Sequence, residues 1–306
     1  MFDCLVVVRF VHFVAVFILF GTALFWLYAV PSPERGAAAL PISFAATRPL
    51  LRAAALVAAA SGLLWLAAML ANMTSEGAGI DVSGLAEAEN WRIFFLETGF
   101  GPPWALRIVL FGAALAAAWG GKTPRLRALA AAGAALLVSQ AFLGHAAQGK
   151  LGPRGLAMLG AYAAHLCAAA AWAGGLPPLL LALTELWRSP RRGRGGEALA
   201  ILQRFSVMAG VAAPLAAGAG AVNAWFRLGD ALASPAASGY GRVLLVKIVL
   251  VAAMLTLAAF NRFACMPRLR ETGYARALRV SVAAELAIGA LVLAAAAVLG
   301  VTPPPN

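Results

Sequence analysis

The chain has 306 residues, of which 62% are hydrophobic and 12% charged, and its mean hydropathy is +0.85. A soluble domain could not bury that much apolar surface, so the composition excludes a soluble protein and predicts one whose solvent is the lipid bilayer. The formal net charge of +12 does not indicate a nucleic acid partner, because most basic residues lie in connections between apolar segments.

Eight apolar segments are long enough to cross a membrane, which predicts an all-α polytopic membrane protein. In chain order they cover residues 5–30, 49–72, 103–120, 126–147, 155–184, 203–226, 241–264 and 277–301. We interpret the first segment as a membrane helix rather than a cleaved signal peptide, because Arg9 lies within it and no basic region precedes it.

The connections between these segments differ in charge. Those after the first, third, fifth and seventh segments are basic, and contain Arg35, Arg48, Arg52, Lys122, Arg125, Arg127, Arg188, Arg191, Arg192, Arg194, Arg204, Arg262, Arg268, Arg270, Arg276 and Arg279. The connection after the second segment is acidic, with Glu76, Asp81, Glu87, Glu89 and Glu97. Because basic connections face the cytoplasm, we expect both termini on the periplasmic side of a bacterial inner membrane.

The two halves of the chain, residues 1–150 and 151–306, are similar to each other. Among the aligned pairs are His12 with His165, Gly21 with Gly174, Arg107 with Lys247, and Gly133 with Gly289. Four helices in each half give both halves the same orientation in the membrane. The sequence therefore predicts one integral membrane unit built from two parallel four-helix repeats, with the first histidine of each repeat at equal depth.

All three histidines of the chain, His12, His145 and His165, lie within or beside apolar segments, in the outer half of the predicted membrane. A neutral imidazole is a good ligand for copper or haem iron, and it is costly to leave unpaired in lipid. The sulfur-containing side chains expected at the same depth are Cys4, Met69, Met73 and Met158. Nitrogen and sulfur ligands together favour Cu(I), so these residues predict a copper site, although the sulfur atoms could instead fill the core.

Five further polar residues inside the apolar segments are candidate site residues. Arg107 and Lys247 could hold an anion such as a haem propionate or extend toward lipid head groups, and Gln140 and Asn223 could support the ligands through hydrogen bonds. Glu285 lies about two turns into the eighth segment on the cytoplasmic side. It could relay a proton, release a cation inward, or form a hydrogen bond within the bundle.

Short motifs along the chain resemble those of a known family. They are His165-Leu166, Trp172 to Pro177, Arg204-Phe205-Ser206, Asn223-Ala224-Trp225, Tyr240-Gly241-Arg242, Asn261-Arg262-Phe263, Pro267-Arg268-Leu269, Glu285-Leu286, Leu299-Gly300 and, earlier, Leu143-Gly144-His145-Ala146. In this order they resemble the copper-resistance D (CopD) family of bacterial inner-membrane proteins. The resemblance implies that copper is moved from periplasm to cytoplasm with a small periplasmic copper-binding partner (CopC), here expected to be a separate protein.

Each half also resembles HemJ-type protoporphyrinogen oxidases, four-helix proteins whose first-helix histidine and third-helix lysine are linked to haem. His12 with Arg107 and His165 with Lys247 match that arrangement, although Arg107 departs from the lysine of that family. Two functions therefore stay open: copper permeation at the histidines, and a haem b redox protein with the same histidines as axial ligands. A purely structural membrane protein would leave the histidines unexplained. No P-loop, GxSxG motif or dinucleotide fingerprint is present, so an ATP-driven pump is not expected unless another subunit supplies the energy. We expect a transporter or metal-binding protein more than an enzyme.

Overall fold

The structure, a computed structural model, describes residues 2–29, 42–75, 82–121, 124–143, 152–188, 194–269 and 273–305. Within these ranges the chain forms α-helices joined by short turns, with no β-strand. The helices are α1 (Phe2–Ala29), α2 (Ile42–Thr74), α3 (Ala88–Glu97), α4 (Gly101–Trp119), α5 (Leu126–Ser139), α6 (Pro153–Ala173), α7 (Leu176–Arg188), α8 (Arg194–Leu228), α9 (Gly239–Phe260) and α10 (Tyr274–Leu299). A π-helical turn, Asn261–Cys265, continues α9.

Eight helical stretches are long and apolar enough to span a bilayer, which confirms the predicted all-α membrane architecture. They are Cys4–Ala29, Thr47–Thr74, Gly101–Trp119, Leu126–Leu143, Pro153–Thr184, Leu199–Ala233, Gly239–Cys265 and Tyr274–Leu299. The fifth stretch contains both α6 and α7, because the chain turns at Gly174 and Gly175 before it resumes a helical course.

The short helix α3 was not predicted from hydropathy, and it lies in the acidic connection after α2. It packs against α2 and α4, with Phe94 only 1% exposed. Arg92 on its exposed side forms ion pairs with Glu89 at 2.7 Å and Glu97 at 3.0 Å. The hydrogen bonds from Arg92 lower the pKa of Glu89. With 10 residues, α3 is too short to cross a bilayer.

The centre of the bundle is α1, which packs against α2, α5, α6, α7, α8 and α10. Its side chains Leu19, Ala23 and Phe25 are completely buried. The helix approaches α6 most closely at Gly21 and Gly174, where an added methyl group would overlap the opposite backbone. Small residues permit such close helix contacts where the hydrophobic effect does not drive association.

Contacts between the two halves are reciprocal. Helix α1 packs against α10 while α6 packs against α5, and α1 packs against α8 while α2 packs against α7. Two four-helix halves arranged around a twofold axis would pair their helices in this way. The internal repeat itself, with its boundary at residue 150, stays a prediction.

The second half is more open than the first. In the first half α2 packs against α4, whereas their counterparts α8 and α9 are at most marginally in contact over the described residues. A cavity of about 200 Å³ lies where these two helices diverge, bordered also by α10. The cavity lies at the end of the bundle where the α7–α8 and α9–α10 connections are. We call this end the inner end, because the predicted topology places it toward the cytoplasm.

Candidate metal centre

The first predicted ligand, His12, is completely buried, and both of its ring nitrogens are engaged. Its Nδ1 lies 3.1 Å from the carbonyl oxygen of Ala58 and 3.2 Å from Oγ of Ser61, both on α2. A carbonyl oxygen can only accept, so Nδ1 carries the proton. The lone pair on Nε2 then accepts a hydrogen bond from Nη2 of Arg107. In this arrangement His12 has no free nitrogen for a metal ion.

Arg107 itself is completely buried on α4 and forms no ion pair with a described residue. Its Nη1 donates to the carbonyl oxygen of Leu136 at 3.0 Å and to Oγ of Ser139 at 2.8 Å. The guanidinium carbon lies 5.7 Å from the ring centre of Trp65 and 5.2 Å from that of Trp104. Aromatic faces and neutral oxygens thus stabilise the cation in place of a carboxylate.

Aromatic side chains enclose the His12 imidazole. The ring centres of Trp65 and Phe111 lie 5.6 and 5.8 Å from that of the histidine, both in edge-to-face orientations. Gly62 makes room for this packing, because a Cβ atom there would lie 2.3 Å from Phe111 and 3.2 Å from the histidine ring. The first half therefore holds its histidine in a closed aromatic environment, with both ring nitrogens hydrogen-bonded.

The second predicted ligand, His165, has a different environment. It is half-buried on α6, and its Nδ1 lies 2.7 Å from the carbonyl oxygen of Ala216 on α8. By the same reasoning Nδ1 carries the proton, and Nε2 keeps a lone pair that has no hydrogen-bond partner among the described residues. Gly220 lies against the ring, since a Cβ atom there would be 3.0 Å from Nδ1.

Lys247, the counterpart of Arg107, does not repeat the contact of the first half. It is half-buried on α9 and close enough to His165 to act on it electrostatically. In the part of the chain that the structure describes, it makes no hydrogen bond to the imidazole. The matched histidines thus differ in the property that matters for metal binding, which is whether a nitrogen lone pair is available.

The predicted sulfur ligands are scattered. Cys4 and Met73 are exposed, and Met69 is partly buried against the main core. Met158 packs beside Ala141 in a small separate cluster. No three His, Cys, Asp or Glu residues of the described ranges come together as a metal site. His145 lies outside the described residues, so the complete ligand set stays a prediction.

The two predicted supporting amides each have an unused donor. The Nδ2 group of Asn223 and the Nε2 group of Gln140 are buried without a hydrogen-bond partner. Gln140 directly follows Ser139, a partner of Arg107, and Asn223 lies three residues beyond Gly220 on α8. Buried donors without partners are uncommon, and they are typical of sites that hold a ligand or an ordered water molecule.

Glu285 lies at the inner end, away from the histidines. It is 2% exposed, and its Oε1 accepts a hydrogen bond from Nδ2 of Asn261. Both residues border the cavity, together with Arg262 and Ser206. The site prediction included Glu285 but not Asn261, Arg262 or Ser206. The signal that could have identified them is an asparagine followed by an arginine at the end of an apolar segment, because such polar groups in lipid are usually functional.

Comparisons with known proteins agree on one family. The family model described as copper resistance protein D-like, N-terminal domain, matches residues 1–156, and the one described as copper resistance protein D matches residues 199–299. Copper resistance protein D of Pseudomonas syringae pv. tomato is 30% identical over 98% of this chain and 96% of its own length.

Two further relatives are similar over parts of the chain. Copper transport protein CutJ of Bacillus subtilis (strain 168) is 37% identical over 56% of this chain, which is 29% of its own length. Inner membrane protein YebZ of Escherichia coli (strain K12) is 28% identical over 87% of this chain and 86% of its own length. No solved structure matches the chain significantly.

Proposed function

Because this chain belongs to the copper resistance protein D family, we propose that it binds copper as Cu(I) at His165 and moves it inward across the bacterial inner membrane. The copper would arrive in the outer half of the membrane, delivered by a separate periplasmic copper-binding protein of the CopC kind. Both termini would lie in the periplasm, as the distribution of basic residues predicts. The protein would act as a metal-binding transporter, not an enzyme.

The observation that supports this proposal is the hydrogen bonding of His165. A histidine that binds a metal usually donates its other ring N–H to a carbonyl or carboxylate oxygen, which fixes the ring and strengthens the ligand. His165 already does so through Nδ1 and the Ala216 carbonyl, and its Nε2 lone pair is unused by the described residues. Such a nitrogen in an apolar bundle is expected to bind a soft or borderline cation.

His12 has a conditional role in this proposal. Copper can bind its Nε2 only if the Arg107 side chain withdraws, because the guanidinium occupies that lone pair. The cationic guanidinium also disfavours a second positive charge at the same place. We therefore assign the first binding event to His165, with His12 as a ligand only in a state where Arg107 has moved.

Met158 would bind copper transiently on the outer side, before the ion reaches His165. It lies seven residues before His165 on α6, about 10 Å along the helix axis, which is too far for both to share one ion easily. A thioether there can pass Cu(I) inward without competing with the imidazole. Cys4, Met69, Met73 and His145 would contribute further soft ligands nearer the outer surface.

The experiment is a Cu(I) competition titration of the purified protein against a chromogenic Cu(I) chelator under reducing conditions. We expect His165→Ala to weaken binding at least about 100-fold, the loss expected when a site loses a direct ligand, since a supporting residue already contributes 10–100-fold. Cys167→Ala, two residues further along α6, is the matched control and should bind as the unaltered protein does. Unchanged copper affinity in His165→Ala would refute the proposal.

The same sample tests the haem alternative. Arg107 and Lys247, the cations near the two histidines, favour this alternative because each could hold a haem propionate. A protein purified with haem b shows an intense Soret band, whereas bound Cu(I) is colourless. A Soret band that disappears in either His12→Ala or His165→Ala would assign these residues to haem.

A further inference from the structure

The cavity at the inner end is separate from the histidine site, and four polar residues of the described chain border it. Its walls come from α6, α7, α8, α9 and α10, which contribute mostly apolar side chains, and α8 also supplies the hydroxyl of Ser206. Asn261, Arg262 and Glu285 provide the remaining polar lining. A volume of about 200 Å³ is large enough for several water molecules.

Glu285 is the only carboxylate that lines this cavity among the described residues, and no cation pairs with it there. Its single described hydrogen bond comes from Asn261, which leaves Oε2 unused. Oδ1 of Asn261, which also borders the cavity, is buried without a partner, as is Oγ of Ser281, four residues before Glu285 on α10. Such a group of unsatisfied polar atoms around a cavity is the usual setting of ordered internal water.

The backbone beside Glu285 departs from a regular α-helix. At the π turn, the amide nitrogen of Met266 donates to the carbonyl oxygen of Asn261 at 2.9 Å, an i to i+5 hydrogen bond. Single π turns inside helices occur frequently at functional sites. Here the turn carries the two polar residues, Asn261 and Arg262, that line the cavity opposite α10.

Arg262 lies between the cavity and the surroundings. Its Nη1 donates to the carbonyl oxygen of Ser206 at 2.8 Å and to Oγ of the same residue at 3.0 Å, while the residue as a whole is exposed. Gly210 leaves space for it, because a Cβ atom there would lie 3.2 Å from Nη1. Arg262 thus lies at the exposed edge of the cavity.

We propose that this cavity is a proton-binding vestibule in which Glu285 exchanges a proton with water from the inner side of the membrane. A hydronium ion gives its proton to Oε2 to form the neutral acid, and the reverse step returns it to water. The apolar walls favour the neutral acid, whereas the hydrogen bond from the amide of Asn261 favours the carboxylate. Opposed influences of this kind allow a buried carboxylate to populate both states.

The other titratable and charged groups nearby do not neutralise Glu285. Cys265 ends the π turn and is fully buried, and Arg204 on α8 donates to the carbonyl oxygen of Ala29. Arg279, on α10 itself, has its own interaction partners. A proton fits this vestibule better than Cu(I) does, because carboxylate and amide oxygens are hard ligands.

The test is labelling with dicyclohexylcarbodiimide, an electrophile to which protonated carboxyl groups in apolar surroundings add, followed by peptide mass spectrometry on the full chain in proteoliposomes. We expect an adduct on Glu285 that forms at least tenfold more slowly at high pH than at low pH. Glu285→Gln, which keeps the acceptor for Asn261, should lose the adduct, and Glu97→Gln at an exposed ion pair should keep it. No adduct on Glu285 at any pH would overturn the proposal.

The accessible side is tested by changing the pH on one side of oriented vesicles. The labelling rate should follow the pH on the side where Arg262 lies, and a rate that follows the opposite side would contradict an inner vestibule. The wild-type measurement stands even if a variant folds poorly, because the adduct is identified on the unaltered chain.

A coupling between this proton exchange and copper movement rests on the proposed function. A separate measurement distinguishes failure of the vestibule from failure of the proposed function. If a proton leaves through Glu285 as Cu(I) enters, copper added to vesicles should change the lumenal pH, and Glu285→Gln should abolish that change while Cu(I) still binds at His165. Labelling without copper binding would leave the vestibule standing and remove the proposed function. Copper binding without pH-dependent labelling would remove the vestibule and leave the proposed function standing.

Discussion

Gly21 and Gly174 lie backbone to backbone where α1 meets α6. A methyl group on Gly21 would be 2.2 Å from the carbonyl carbon of Gly174, and one on Gly174 would be 2.0 Å from the carbonyl oxygen of Phe17. These two glycines are also equivalent to each other in the predicted repeat. Contact between equivalent residues is what a twofold axis between the halves would produce.

We expect Gly21→Ala and Gly174→Ala each to destabilise the protein by about 1–3 kcal/mol, the usual cost of overpacking a closely packed site. Gly112→Ala on α4 is the control, because nothing lies within 4 Å of its added methyl group. Thermal unfolding in detergent measures the difference. If Gly21→Ala unfolds at the same temperature as Gly112→Ala, the close contact does not hold the halves together.

The second prediction concerns the hydrogen bond between Arg107 and His12. Arg107→Met should cost about 1–3 kcal/mol, because it leaves the buried Nε2 of His12 without its donor and removes the partner of Ser139. Lys247→Met, at the matching place in the second half, should cost less, since Lys247 makes no described hydrogen bond to His165. Equal losses in unfolding temperature would show that the two halves are not different in this respect.

Copper binding by the same variant gives a third prediction. Removing the guanidinium frees the Nε2 lone pair of His12, so the folded Arg107→Met protein should bind an additional equivalent of Cu(I). The titration is repeated with Arg107→Met combined with His12→Ala, in which the additional equivalent should be lost. An unchanged stoichiometry in Arg107→Met would mean that Arg107 does not control access to His12.

The fourth prediction uses two glycines on one helix. In Gly220→Ala, the new methyl group would lie 3.0 Å from Nδ1 of His165 and displace the ring from the Ala216 carbonyl. Copper affinity should fall about 10–100-fold, as it does when a supporting hydrogen bond to a metal ligand is lost. Gly218→Ala has open space around it and is the matched control. Similar affinities in the two variants would argue against His165 as the ligand.

The fifth prediction concerns topology. Reporter fusions after Arg194 and after Asn306 should read cytoplasmic and periplasmic respectively. Arg194 lies in one of the connections in which basic residues are concentrated, and such connections face the cytoplasm. A periplasmic reading after Arg194 would invert the bundle and place the Glu285 vestibule on the outer side.

Much of this protein could be predicted from local patterns. The eight membrane spans and the all-helical fold follow from runs of apolar residues, because each helix in lipid satisfies its own backbone hydrogen bonds. The family membership could be inferred from short motifs in a fixed order. The short helix α3 was missed because hydropathy detects membrane spans, whereas α3 has only 10 residues and packs against α2 and α4.

The difference between the two histidines could not be predicted in this way. In sequence, His12 and His165 are equivalent, and the adjacent cations differ only as arginine and lysine. Whether a lone pair is used depends on atoms that packing brings together from 46 to 95 residues away, as for His12 with Ala58 and Arg107. The vestibule around Glu285 likewise arises only because α8 and α9 diverge at the inner end. Composition determined that this chain lies in a membrane and where its helices run; the tertiary structure decided which polar groups are satisfied and which are left to bind a ligand, because that depends on contacts between distant helices.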